Sequence, residues 1–103
     1  MSDIAIVQVS FGDPAEAAHI ARVLVDERLA ACATISNGVS VYRWEGAVEQ
    51  SEEVIVAFKT AIELAAQAAA RIAALHSYAL PVIERWPVAV SDDVAAWVRE
   101  STG

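Results

Sequence analysis

A chain of 103 residues holds one domain. Its net charge is −7, and its seven Lys and Arg residues are scattered singly. That balance excludes a basic nucleic-acid surface and binding to anionic membranes.

The 56% apolar content exceeds what a domain this small can hide in its own core, which predicts a buried interface between copies. A single cysteine excludes an internal disulfide and fits a reducing compartment. The opening M-S-D-I-A-I has neither the basic nor the apolar stretch of a signal peptide, and no apolar run reaches membrane-spanning length. The expectation is a soluble cytoplasmic protein.

Asp3 to Phe11 reads as a first strand whose near-continuous apolar run predicts burial on both faces. Gly12-Asp13-Pro14 ends it. Asp13 as cap, Pro14 at the first helical position and Glu16 closing a capping box start a helix to about Arg28. Ala17, Ile20, Ala21, Leu24 and Val25 form its apolar stripe. A second strand runs from Leu29 to Trp44, with a bulge or kink expected at Ser36-Asn37-Gly38.

The stretch from Val41 to Thr60 organises the rest. Val39, Val41, Tyr42 and Trp44 supply one strand and Val54, Ile55, Val56 and Phe58 the other, with turn chemistry at Glu45-Gly46 between them. This predicts a long β-hairpin with an acidic tip carrying Glu49, Glu52 and Glu53. Thr60 and Glu63 predict a second capping box, opening a helix that buries Ile62, Ala65, Ala69, Ile72 and Ala73 and ends near His76. Tyr78 to Val90 reads as a fourth strand, placed at an edge by Pro81 and Pro87. Ser91-Asp92-Asp93 opens a short last helix turning Val94, Trp97 and Val98 inward.

The order β-α-β-β-α-β, with right-handed crossovers and a C-terminal helix, predicts a ferredoxin-like α/β (α+β) sandwich on an antiparallel sheet. The first and third strands are then central. The second becomes a long apolar edge that needs covering, so the chain is expected to form a closed homo-oligomer.

Enzyme signatures are absent. The four glycines are isolated, so no phosphate loop exists, and no His or Cys pair has zinc-ligand spacing. The candidates for binding are few. Cys32 is either a soft-metal ligand or a small buried hydrophobe. His76 is either a ligand or a helix-end residue. The glutamates of the hairpin form a solvated acidic turn or contribute oxygen to a hard cation, with Glu53 able to pair with Lys59 or Arg43 of another copy. Lys59, the only lysine, could hold an anion or an ion pair. Tyr42, Trp44, Tyr78 and Trp86 suit an interface, a core or a cleft equally.

Several segments, in order, resemble the CutA family of divalent-cation tolerance proteins: Glu27-Arg28-Leu29-Ala30-Ala31-Cys32, Tyr42-Arg43-Trp44-Glu45-Gly46, Glu53…Lys59-Thr60, His76…Tyr78…Pro81 and Trp97-Val98-Arg99-Glu100-Ser101. The resemblance spans nearly the whole chain. It implies a ferredoxin-like trimer with intersubunit β-pairing, cytoplasmic location and a link to copper and other divalent metals. It also implies likeness to the PII signalling trimers, which bind small effectors between subunits. Two positions depart from the family pattern: Ser77 replaces proline in His-Pro-Tyr, and Val82 replaces glutamate after Pro81.

Two readings follow. In the first, Cys32, His76 and Glu53 hold copper or another divalent metal at or near clefts between subunits. In the second, Lys59, Arg43 and Tyr78 hold a small anionic effector there.

Overall fold

The computed structural model describes residues 1–103. It contains β1 (Ser2–Phe11), α1 (Pro14–Asp26), β2 (Cys32–Trp44), β3 (Ala47–Thr60), a 3-10 turn (Ile62–Leu64), α2 (Ala65–Leu75), β4 (Ile83–Val90) and α3 (Asp92–Glu100). The four strands form one antiparallel sheet in the order β2-β3-β1-β4. β1 and β3 are central, and the long β2 is an edge, as the sequence predicts. No helix is long and apolar enough to cross a membrane.

Alternation decides which side chains build the core. Ala5, Val7, Val9 and Phe11 of β1 lie opposite Thr60, Phe58, Val56 and Val54 of β3 and bury against α1 and α2. Ile6, Gln8 and Ser10 take the other face and are only half-buried, so β1 is not fully covered on both sides. α3 covers one end of that second face, where Ile4, Ala95 and Val98 form a small separate core. Only Ala95 and Val98 of α3 point inward; Val94 and Trp97 remain exposed.

α1 starts as its sequence dictates. Asp13 accepts the Ala15 N–H at 3.0 Å and Pro14 opens the first turn. The predicted capping box is half-formed, because Glu16 reaches Ser77 instead. The helix stops at Asp26, two residues earlier than expected. Arg28 adopts φ 61°, and the N–H groups of Leu29 and Arg28 bond the carbonyls of Leu24 and Val25 at 2.9 and 3.0 Å. This is a Schellman closure with arginine in the left-handed position. It frees the Arg28 side chain to bond the carbonyls of Gly103 (3.0 Å) and Glu100 (2.6 Å), while the Gly103 N–H returns to the Arg28 carbonyl.

Arg28 therefore fastens α3 to the α1 terminus. Arg28→Gly relieves the backbone strain but removes the clamp. A net loss of about 1–2 kcal/mol is expected in thermal unfolding, together with faster amide exchange confined to α3. Unchanged exchange there would show that α3 is held by its apolar face alone.

The hairpin turn forms at Glu45-Gly46, with φ of 49° and 81°, the double positive-φ signature of a two-residue connection. Five local expectations are corrected. Glu49 to Glu53 lie within β3 rather than in a loose tip. β2 begins at Cys32 rather than Leu29 and pairs residue by residue to Trp44, so no bulge occurs at Ser36-Asn37-Gly38; Gly38 instead leaves room for the Ile55 side chain. Thr60 caps nothing: it ends β3 fully buried, and α2 begins only at Ala65, after a 3-10 turn with no side-chain cap. Ala65, Ala68 and Ile72 are the buried residues of α2, whereas Ile62 and Ala73 are exposed. β4 begins at Ile83, leaving Pro81 in the preceding coil, while Pro87 sits in the edge strand opposite Ala5.

One surface pair links the helices. Arg71 donates two bonds to Glu27, at 2.9 and 2.7 Å, with both side chains about 40% exposed. Hydrogen bonding from Arg71, assisted by its charge, holds the Glu27 carboxyl below its ordinary 4.5. A depressed folded-state value contributes stability above the unfolded value and loses it as pH falls through the folded one. Arg71→Ala should therefore flatten the acid limb of the stability profile below pH 4.5, read as denaturation midpoints against pH.

Candidate functional site: a cleft beside the hairpin arm

β1 ends at Phe11, opposite Val54, but the β2–β3 hairpin continues outward as a two-stranded arm. From Ala47 to Glu53, β3 has no β1 neighbour. The notch where β1 turns away is a cleft of about 540 Å³, lined by Gly12, Pro14, Asn37, Gly38, Val39, Glu52, Glu53 and Val54. Glu52 and Glu53 supply its charge, and no Lys or Arg lines it. Glu53 accepts the Ser40 hydroxyl at 2.9 Å.

The segment after α2 does not line the cleft but packs beside it, with Tyr78 against Gly12. His76 is buried, with its ring stacked on Phe11 at 4.4 Å and 7°, and the Tyr78 ring tilts against it at 4.7 Å. Both ring nitrogens are engaged. Nδ1 accepts the Tyr78 N–H at 3.1 Å, and Nε2 lies 2.8 Å from the Ser10 carbonyl. A carbonyl can only accept, so the proton sits on Nε2. In the free chain the His76 imidazole thus presents no open lone pair to a metal ion.

Ser77 explains its own departure from the family pattern. Its N–H and hydroxyl both donate to Glu16, each at 2.9 Å, and a proline could supply neither bond. Val82 is exposed in the coil before β4, and Glu84 pairs with Gln8 on the sheet rather than standing in for the missing carboxylate.

The half-exposed Tyr78 reaches back over Gly12, where a Cβ would lie 2.6 Å from its hydroxyl oxygen. Partial burial raises the phenol above its ordinary 10.0, and the negative charge of Glu53 raises it further, with smaller contributions from Tyr42 once that phenol ionises and from Glu16. Tyr78 thus stays a hydroxyl donor throughout the physiological range. Glu53→Gln removes one of those charges, so the phenol should ionise at lower pH in the variant, read as absorbance near 295 nm; an unmoved titration would place Glu53 too far away to matter.

The remaining candidates do not converge within one chain. Cys32, Lys59, Ile6 and Trp86 form a row across the half-open face of the sheet, on the opposite side from His76. Cys32 is partly buried. Arg43 lies near the arm tip opposite Val48, separated from Lys59 by roughly 35 Å of strand at about 3.3 Å per residue. No group of three or more His, Cys, Asp and Glu side chains is assembled for a metal ion. Gly12, Asn37, Glu16 and Ser77 escape sequence reasoning as site residues, whereas Glu52 is among the hairpin glutamates it names. Only the glycine directly after a strand signals a close approach, and that signal also fits a helix start.

The family model for the CutA1 divalent ion tolerance protein matches residues 5–101. The chain belongs to the CutA1 divalent ion tolerance family. It is 36% identical over 105 residues to the divalent-cation tolerance protein CutA of Thermus thermophilus, covering all of both chains. The crystal structure of CutA from Xylella fastidiosa superposes with a TM-score of 0.93 at 36% identity, covering 99% of this chain and 100% of that one. CutA of Archaeoglobus fulgidus, described as a periplasmic divalent cation tolerance protein, superposes with a TM-score of 0.91 at 29% identity over 97% and 98% of the two chains. The CutA1 fold is thus shared across the whole length of the chain, and its members' association with divalent-cation tolerance is a property of the family. The cellular location of its members is not uniform.

Proposed function

We propose that this CutA1 chain is a cytoplasmic, non-enzymatic binding protein that forms a homotrimer and takes a divalent cation, copper foremost, at a cleft completed by a neighbouring subunit. One observation carries the reading: Glu52 and Glu53 line the arm cleft, and no cationic side chain does. Two carboxylates and the Asn37 amide are too few donors to hold a divalent cation by themselves, so a second copy must contribute the rest. Cys32 offers a separate thiolate on the half-open sheet face, suited to Cu(I) between copies.

The same charge pattern weighs against the anionic-effector reading. Arg43 and Lys59 stand at opposite ends of the hairpin, and the cleft itself would repel an anion. The apolar arm and the half-open sheet face support assembly.

Native mass spectrometry with Cu(II) and Cu(I) tests the proposal. The expected result is a trimer with about one Cu(II) per chain, weakened about 10-fold or more by Glu53→Gln, and with Cu(I) uptake lost in Cys32→Ser. A monomer, or copper uptake indifferent to both substitutions, would overturn it.

A further inference from the structure

We propose that the coil joining α2 to β4, residues 77–82, is a proton-sensitive flap: the unprotonated imidazole of His76 and the ionised carboxylate of Glu16 latch it to the domain, and acid releases it. The inference concerns the metal-free chain and does not depend on what the cleft holds.

The hydrogen bonds of the coil carry the argument. Residues 77–82 make no backbone–backbone bond to the rest of the chain. Their bonds all run to titratable side chains. The Tyr78 N–H donates to His76 Nδ1 at 3.1 Å, and the Ser77 N–H and hydroxyl donate to the two oxygens of Glu16 at 2.9 Å each. A backbone carbonyl accepts equally well at any pH, whereas an imidazole nitrogen and a carboxylate do not.

Acid acts on both hooks in the same direction. His76 Nε2–H donates to the Ser10 carbonyl, so Nδ1 is the one lone pair of the ring, and it takes the Tyr78 N–H. A proton on Nδ1 sets one N–H against another. The ring is stacked on Phe11 and only 8% exposed, so it cannot swing out to water while its other contacts hold. The bond to Tyr78 is the contact that must break. Protonation of Glu16 removes the charge that strengthens both Ser77 bonds and turns one acceptor oxygen into a donor. The closed flap is therefore the state of higher pH, and it opens as pH falls.

The elements around the latch add few other charges. β1 and α2 meet His76 through Ser10, Phe11 and Ile72, and Arg71, the cation of α2, is committed to Glu27. On α1, Asp13 is bonded to the Ala15 N–H. Glu53 of β3 and Tyr42 of β2 act on the Tyr78 phenol. The flap carries Tyr78, which lies against Gly12, and the exposed Leu80 and Val82. Release lifts Tyr78 off Gly12 and bares the His76 ring. The sheet stays whole, because β4 resumes its pairing with β1 at Ile83.

Amide exchange of the metal-free protein, from neutral pH down to about pH 4, tests this; that range spans the ordinary imidazole value of about 6.5 and carboxyl value of about 4.3. Protection factors are read for Ser77, Tyr78 and the strands β1 and β3, and imidazole nitrogen shifts give the tautomer. In wild type Nδ1 should be bare at neutral pH, and Tyr78 N–H protection should fall about 10-fold or more in acid while β1 and β3 keep theirs. His76→Asn keeps an i to i+2 acceptor that does not titrate, so Tyr78 protection should stay level across the range. Glu16→Gln keeps a neutral acceptor, so Ser77 should lose its carboxylate-range drop. Equal Tyr78 protection at both ends of the range in wild type, the same fall in His76→Asn as in wild type, or a proton on Nδ1 at neutral pH would each overturn the latch. So would a simultaneous loss in β1 and β3, since the event would then be global unfolding. Should His76→Asn not fold, the wild-type tautomer and the residue-by-residue profile decide the matter.

Discussion

Phe58→Ala is expected to destabilise the chain by about 3–5 kcal/mol, a large part of the roughly 5–15 kcal/mol available to a domain of this kind. Phe58 is fully buried at the middle of β3, opposite Val7 on one side and Ala33 on the other. It faces the layer where α1 and α2 pack, in which Ala17, Ala21, Ala65 and Ala68 alternate with Ile20, Leu24 and Ile72. Small residues let the helices come close to the sheet, but they cannot swell or rotate to fill a hole the size of a phenyl ring. The cavity therefore persists, and the loss should fall at the upper end of its range. Denaturant midpoints at fixed protein concentration are the measurement, because assembly would make stability depend on concentration. Ile62→Ala is the control: the side chain is 46% exposed on the 3-10 turn and should cost under about 1 kcal/mol. Equal losses in the two variants would mean that the alanine-rich helix layer is loosely packed and absorbs the cavity.

That layer also shows why so much of the fold is readable from sequence. Period-two runs in β1 and β3 and the period-3.6 stripe of Ala17, Ile20, Ala21 and Leu24 each admit only one buried face. Strand order then follows from chain order and handedness. The misreadings come from long-range partners that win over local signals. Glu16 has a capping-box position, but Ser77, 61 residues away, takes both its oxygens. Thr60 and Glu63 have the right spacing for a cap, yet cross-strand pairing with Ala5 keeps Thr60 in β3. Arg28 looks like a last helical residue, but its left-handed backbone and its hold on Gly103 end the helix early.

The candidate site was less legible for the same reason. Glu53 and Tyr78 are visible as candidates, but the cleft that Glu53 lines exists because β1 stops at Phe11 while the hairpin runs on. Each length is readable locally, but the register that sets the end of β1 opposite Val54 is not. His76 shows the opposite case: a residue type that suggests metal chemistry proves to have both nitrogens committed to backbone.

Trp44→Ala should weaken self-assembly by about 2–4 kcal/mol for each interface it enters, whereas Glu49→Ala should change it by under about 0.5 kcal/mol. Both residues lie on the arm, five positions apart, and both are exposed in the isolated chain. The difference lies in what water does to each. Glu49 is well solvated where it is and gains little from a partner. Trp44 is 55% exposed, among Val39, Val41, Tyr42 and Val48, which are also exposed. A two-stranded ribbon carrying that many apolar side chains is marginal in water by itself. Its backbone edge along β2 is open as well, a template for pairing with another strand. Contact with a second copy relieves both problems at once, and an indole at such a contact removes on the order of 200 Å² of apolar surface from water. In a closed trimer the same arm is used three times, so the loss per interface compounds and dissociation should appear at far higher protein concentration in Trp44→Ala. Sedimentation velocity over a dilution series reads this directly. If Trp44→Ala and Glu49→Ala dissociate over the same concentration range, the arm is not the surface that joins the subunits, and the half-open sheet face around Cys32, Lys59, Ile6 and Trp86 must carry the assembly instead.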